Sequence, residues 1–196
     1  MYQTYKKGWI EVICGCMFAG KTEELIRRIN VLKYAKLNIL VIKPKIDDRY
    51  SKTEIASHSG YRLESVCISE ASEIMSFVKD DTDVVAIDEG QFFNHDLIDV
   101  CECLADRGIR VMVAGLDRDF RGEPFGVMPE LLVRAEFVTK LSAVCSKCGA
   151  PATRTQRLVN DKPASYDDPI IVVGANEQYE PRCRHCHEVL NKPKKF

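Results

Sequence analysis

The octet Gly15-x-x-x-x-Gly20-Lys21-Thr22, inside "CGCMFAGKTEE", constrains this chain more than any other feature. Glycines at these positions let backbone N–H groups turn toward phosphate oxygens. A helix starting just after the second glycine points its positive end at the same place. In this pattern Lys21 reaches the β- and γ-phosphates and Thr22 holds Mg²⁺. The pattern demands a buried strand before the loop and an amphipathic helix after it, and both are legible. "WIEVIC" (9–14) reads as a short buried strand; Leu25, Ile29 and Leu32, with Ile26 beside them, recur at helical spacing from Thr22 to about Leu37. Average composition produces such a match by chance in roughly one chain of this length in a hundred. Met17 and Phe18 are unusual inside a purely phosphate-binding turn. Phe18 suits packing beneath the loop as well as a ligand contact, whereas Met17 suits the wall of a pocket beside the γ-phosphate.

Strand and helix signals then alternate. "NILVIKP", stopped by Pro44, "DVVAIDE" and "IRVMVAGL" are continuous apolar runs of the kind a parallel sheet buries on both faces, and a helical pattern surrounds Leu97–Leu104. "RLESVCI" alternates as a further strand, and "FVTKLSAV" closes the unit. The expected fold is α/β: a P-loop kinase-like domain with a mostly parallel sheet over 1–142. After about Ala143, cysteine pairs, prolines and short strand-like runs replace that rhythm, so 143–196 is expected to be a small second domain. "VNDKPASYDDP" (159–169) reads as a mobile polar loop.

The run "DVVAIDE" ends in Asp88-Glu89. In P-loop enzymes the first acid of such a pair assists Mg²⁺, and a second acid at a strand end can serve as a base. ATP-hydrolysing motors also carry Asp-Glu, the Glu activating water. The pair points to phosphoryl transfer and leaves the acceptor open.

Cys145-x-x-Cys148 and Cys183-x-x-Cys186 are two chelating knuckles separated by 34 residues. Four thiolates suit tetrahedral Zn²⁺, and a closed four-cysteine set leaves no position for water, so the metal is structural. His185 and His187 lie beside the second knuckle and could substitute as ligands, though the role of flanking residues suits them better. Nine cysteines, an odd number, argue against a complete disulfide framework. Cys101 and Cys103 do not face each other on a helix, and Cys14, Cys16 and Cys67 read as small residues in strands or turns. His58 and His95 suit solvated polar roles.

The net charge of -1 gives no broad surface for nucleic acid, so nucleotide affinity must be local. The basic tail "NKPKKF" reads as a solvated end. No leader and no membrane span are expected, and the chain reads as cytoplasmic.

Six ordered blocks, "GCMFAGKTEELIRR", "VIKPKIDDRY", "IDEGQFF", "GLDRDFRGEPF", "KLSAVCSKCGAPATRTQRL" and "VVGANEQYEPRC", resemble the zinc-bearing thymidine kinases of the type shared by bacteria and animal cytosol. The resemblance runs from about Gly8 to Cys186. It implies transfer of the γ-phosphoryl of ATP to the 5′-OH of thymidine or deoxyuridine, in deoxynucleotide salvage, by a homotetramer restrained by thymidine triphosphate. Glu89 matches the general base. Gly15, Cys16, Met17, Phe18 and Ala19, then Gly20, Lys21 and Thr22, and finally Asp88 and Gln91, fall on the ATP and Mg²⁺ side. Met17, Leu116, Thr155 and Tyr179 match residues enclosing the base, and Phe120 its stacking partner. Asp47 and Arg49 match motif positions near the nucleotide. The pyrimidine edge would be held by the backbone of a lid loop in the zinc domain, here Ile171, Val172, Val173 and Gly174 through Ala175. A P-loop ATPase with a zinc-ribbon nucleic-acid module is the competing reading; it lacks a basic face.

Overall fold

The structure is a computed structural model and describes residues 8–45, 54–56, 62–171 and 177–193. Asp47, Arg49, His58, Val172, Val173 and Gly174 lie outside the described residues.

Strand β1 (Trp9–Gly15) runs into the glycine loop, and α1 (Lys21–Tyr34) leaves it. Helix α1 begins one residue before the expected start and ends three before the expected end, where Ala35 caps it and Lys36 turns left-handed at φ 60°. Glu23 and Glu24 in its first turn and Lys33 in its last complement the helix dipole. The apolar runs become β2 (Ile39–Pro44), β6 (Val84–Ile87) and β7 (Arg110–Leu116). Between them, "RLESVCI" divides. Its first half, β4 (Arg62–Glu64), pairs antiparallel with β3 (Glu54–Ala56); its second, β5 (Val66–Ile68), joins the main sheet. A short helix, α2 (Ile74–Phe77), comes next. Helix α3 (Asp96–Asp106) matches the pattern around Leu97–Leu104, while α4 (Met128–Arg134) has no counterpart among the helical patterns of the sequence.

The main sheet has six strands in the order β5-β2-β6-β7-β1-β8, where β8 is Phe137–Lys140. Every pairing in it is parallel. Alternation along the strands explains why the runs are continuously apolar. Ile10, Val12, Cys14, Val85, Ile87, Val111 and Val113 face one side, against Leu97, Ile98, Cys101 and Leu104 of α3 and Met128 and Leu131 of α4. Ile13, Val84, Ala86, Met112 and Ala114 face the other, against Leu25, Ile26 and Ile29 of α1. Both faces are covered, so the runs are apolar at both positions of the alternation, with Glu11 of β1 the buried exception. Cys101 is in the core and Cys103 is exposed.

Beyond the sheet, β9 (Ala143–Val144) pairs with β10 (Pro151–Ala152), and β11 (Arg154–Val159) is flanked by β12 (Lys162–Pro163) and β13 (Glu177–Arg182). The stretch expected as a loop over 159–169 is therefore partly a hairpin. Asn160 and Asp161 both take positive φ (50° and 60°), as a two-residue turn between right-twisted strands requires. The residues after β12 are fastened too: the Tyr166 N–H donates to the Leu190 carbonyl at 2.7 Å and the Ser165 N–H to Asp168 Oδ2 at 2.9 Å.

One charge is buried at the amino end of the sheet. Glu11, on β1, accepts from Arg28 of α1 at 2.9 Å and from Arg110 of β7 at 3.0 Å, tying helix to sheet. Burial alone would raise its carboxyl, but Arg110, Trp9 and Arg28 outweigh that and hold it below its ordinary 4.5. A carboxyl depressed in the folded state contributes stability that is full above about 4.5 and is lost as pH falls through the folded value. Glu11→Gln is expected to cost about 2 kcal/mol near neutral pH and to flatten the acid limb of a denaturation series. Parallel acid limbs in the two proteins would show that Glu11 does not carry this dependence.

Candidate active site

Three adjacent strands deliver the functional residues to one edge of the sheet. The register sets Gly15 beside Leu116 and Ile87 beside Val113, so the carboxyl ends of β6, β7 and β1 release Asp88-Glu89, the Asp117–Phe125 turn and the glycine loop side by side. This edge, where the strand order reverses around β1, is where open parallel sheets bind ligands.

Gly15 has no alternative. A Cβ there would sit 2.5 Å from the Leu141 carbonyl oxygen, and φ is 152°. Gly20, at φ 81°, is the left-handed N-cap of α1. Lys21 Nζ donates to the Cys16 carbonyl at 2.9 Å, folding over the loop. Thr22 Oγ1 donates to Asp88 Oδ2 at 3.1 Å. Asp88 is buried, and burial, followed by the charge of Glu89, pushes its carboxyl up to about 7 against the pull of the Glu89 N–H, Thr22 and Lys21. A buried carboxylate beside a hydroxyl, incompletely compensated, is the hard-oxygen donor set that Mg²⁺ takes.

Glu89 stands apart from that pair. Its backbone is left-handed (φ 53°), an uncommon conformation for a glutamate and a costly one, while its N–H is held by Asp88 Oδ1 at 3.0 Å. Its carboxylate accepts from Gln91 Nε2, and Gln91 Oε1 in turn accepts the Leu116 N–H at 2.9 Å. Gln91 thus bridges Glu89 and the backbone of Leu116. There is no room to relax this arrangement: a Cβ at Gly90 would meet Val113 at 2.6 Å, and one at Gly115 would meet Gln91 at 2.7 Å.

"GLDRDFRGEPF" folds around Asp119. Its buried Oδ1 accepts the N–H groups of Arg121 (2.9 Å) and Glu123 (3.0 Å), which closes the turn that carries Phe120. Burial raises the Asp119 carboxyl against those same amides. Phe120 is buried, with the guanidinium of Arg157 5.0 Å and that of Arg121 5.5 Å from its ring. Arg121 also donates to the Asp168 carbonyl (2.7 Å), and Arg157 to that of Pro169. Ile171 is exposed and Tyr179 lies on β13, opposite Arg157 of β11.

The cysteine-bearing region reaches the glycine loop directly. The Met17 N–H donates to Thr155 Oγ1 at 3.0 Å, and Cys16 Sγ lies 3.3 Å from the Ala152 carbonyl. Cys16 packs in one cluster with Cys145, Ala152 and Cys183. Phe18, at φ 64°, is exposed rather than packed beneath the loop. The sulfurs of Cys145, Cys148, Cys183 and Cys186 all lie within 4.8 Å of one another, Cys148 and Cys183 at 3.7 Å. Four sulfurs bound tetrahedrally at Zn–S distances would stand about 3.8 Å apart, so the residues fit zinc. Burial opposes thiolate formation at Cys145 and Cys183, but the N–H groups of the knuckles prevail and lower both thiols, while the Cys148 and Cys183 sulfurs push the neighbouring Cys186 thiol up.

Two residues of this site carry no mark in the sequence. His187 is half-buried and bonded to the Phe120 carbonyl rather than merely flanking a knuckle. Arg157 is buried over Phe120 although an arginine ordinarily reads as exposed. No local signal could have found either one.

A parallel sheet with a glycine loop, a lysine–threonine step and an acidic pair at one edge defines a nucleotide-phosphate-binding α/β protein. The family model described as "Thymidine kinase" matches residues 8–187. The chain belongs to the thymidine kinase family. Among solved structures, the X-ray structure of the Legionella pneumophila ATPase DotB superposes with a TM-score of 0.41 at 13% identity, over 67% of this chain and 35% of that one. The chain therefore spans about a third of that ATPase's length. Among the described residues, no helix is long and apolar enough to cross a membrane.

Proposed function

We propose that this protein transfers the γ-phosphoryl of ATP to the 5′-OH of thymidine or deoxyuridine, giving the monophosphate for deoxynucleotide salvage. Alongside family membership, the observation that carries this reading is the division within one dipeptide. Asp88 turns to Thr22, while Glu89 is held away from it by Gln91, which also binds the backbone of Leu116. Loop amides and Lys21 bind the phosphates. Thr22 and Asp88 would hold the Mg²⁺ that accompanies ATP and that, when bound, offsets charge on the transferring group. Glu89 takes the proton of the 5′-OH as bonding develops, and Gln91 orients it. Met17, Leu116, Phe120, Thr155 and Tyr179 enclose the base, the pyrimidine edge is held by backbone groups of the loop Ile171 to Ala175, and the region between the two cysteine pairs serves as a lid that excludes water. On this reading 1–142 is the nucleotide-binding domain and 143–196 the zinc-binding domain, thymidine triphosphate is the feedback inhibitor, and the enzyme is cytoplasmic.

Glu89→Gln keeps the shape and removes the base, so thymidine-dependent turnover is expected to fall about 10²- to 10⁴-fold while ATP binding survives. Asp88→Asn should instead give a loss that shrinks as Mg²⁺ is raised. Near-normal phosphorylation by Glu89→Gln would remove the base assignment. ADP formation by the wild type that is equally fast without nucleoside would make water the acceptor.

Assembly as a homotetramer is a further part of this proposal. Phe137 and Val138 on the edge strand β8, and Val31 and Tyr34 on α1, are exposed apolar surface available to subunit contacts. Light scattering should return about four times the 22.2 kDa chain mass. A 22.2 kDa monomer at working concentration would refute the assembly.

A further inference from the structure

His187 lies one residue beyond the second cysteine knuckle, and its Nε2 is 2.9 Å from the Phe120 carbonyl oxygen. A carbonyl can only accept, so Nε2 carries the hydrogen and donates. The Thr155 carbonyl faces the same ring. Thr155 in turn accepts the Met17 N–H through its hydroxyl. The imidazole therefore stands where three parts of the site meet: the knuckle, the turn that carries Phe120, and the strand that holds Met17.

Neither neighbour needs His187 for its own integrity. The four cysteine sulfurs form a complete tetrahedral set without it. The Phe120 turn is closed by Asp119, which binds the Arg121 and Glu123 amides. What His187 adds is the register between the two. Arg157 of β11 covers the Phe120 ring while His187 holds its carbonyl, so both the side chain and the backbone of Phe120 are fixed to the cysteine-bearing region.

We propose that His187 is a positioning residue of the acceptor pocket: its Nε2–H ties the Phe120 carbonyl to the second cysteine knuckle and so sets where the Phe120 ring lies relative to Thr155 and Met17. The inference rests on the thymidine reading of the site. His187 touches neither substrate. Its effect is on how well the nucleoside is held, with ATP bound through the glycine loop and Lys21 largely unaffected.

The test uses the full-length, zinc-loaded enzyme. His187→Ala should raise KM for thymidine about tenfold and leave KM for ATP within about twofold, with zinc content unchanged. His187→Gln returns an N–H donor at similar reach and should recover most of the loss. A purely structural role would raise both KM values together and would not be rescued by Gln. That result overturns the inference, as does an unchanged thymidine KM in His187→Ala. Should the Ala variant fail to fold, nitrogen-15 spectra of histidine-labelled wild type decide: thymidine, and not ATP, should shift the His187 Nε2–H signal, and an unmoved signal overturns the inference. If the wild type itself does not phosphorylate thymidine, the functional reading falls and this inference with it. Normal wild-type turnover with a silent His187 sinks the inference alone.

Discussion

The hydrogen bond from the Met17 N–H to Thr155 Oγ1 joins the two halves of this molecule, and the site depends on it. A glycine loop is a poor structure on its own: it turns backbone N–H groups outward, uses positive φ at Gly15, Phe18 and Gly20, and has little side-chain packing to hold it. Here it is braced from outside. Leu141 closes against Gly15 so tightly that no side chain fits, the Leu141 N–H donates to the Cys14 carbonyl at 2.8 Å, and Cys16 packs among two of the knuckle cysteines. A chain segment more than a hundred residues downstream thus fixes the loop's shape. A metal held by the four cysteines would have a role beyond its own region, because the strands it would staple are the ones that press on the loop.

The same edge concentrates charge in a way that only ligands can relieve. Asp88 is buried next to Glu89 and is pushed toward its protonated form, with Thr22 and Lys21 supplying part of the compensation. Lys21, for its part, is folded onto the Cys16 carbonyl, a neutral acceptor that a phosphate oxygen would outcompete. Glu89 holds a left-handed backbone that an ordinary strand-to-loop junction would not require. Strain and uncompensated charge gathered in three neighbouring residue sets, at the carboxyl edge of a sheet whose core is largely apolar, mark where binding energy is to be spent.

Much of this is legible in the sequence because it rests on short-range rules. Strands β1, β2, β6 and β7 announce themselves as apolar runs, since both faces of the sheet are covered; the glycine loop, the acidic pair and the cysteine knuckles are set by residue type and spacing. The features that stay hidden have a common cause. Helix α4 is only seven residues long and begins at a Met-Pro step, too short for a helical period to show. "RLESVCI" alternates throughout, yet its halves pair with different partners, which no local pattern encodes. The hairpin at Asn160-Asp161 looks like any polar loop until both residues are seen at positive φ. His187 and Arg157 act through residues distant in sequence, Phe120 above all, so their roles appear only when the chain is folded.

The dependence of the glycine loop on the cysteine-bearing region can be measured on a single sample. Zinc content and ATP binding, the latter by calorimetry, would be followed together as a chelator removes the metal and as zinc is added back. If the metal-stapled strands hold the loop, the protein carries about one zinc per chain, loses ATP affinity in proportion to the zinc removed, and recovers it on zinc's return. Full ATP affinity in protein stripped of its metal would contradict that dependence.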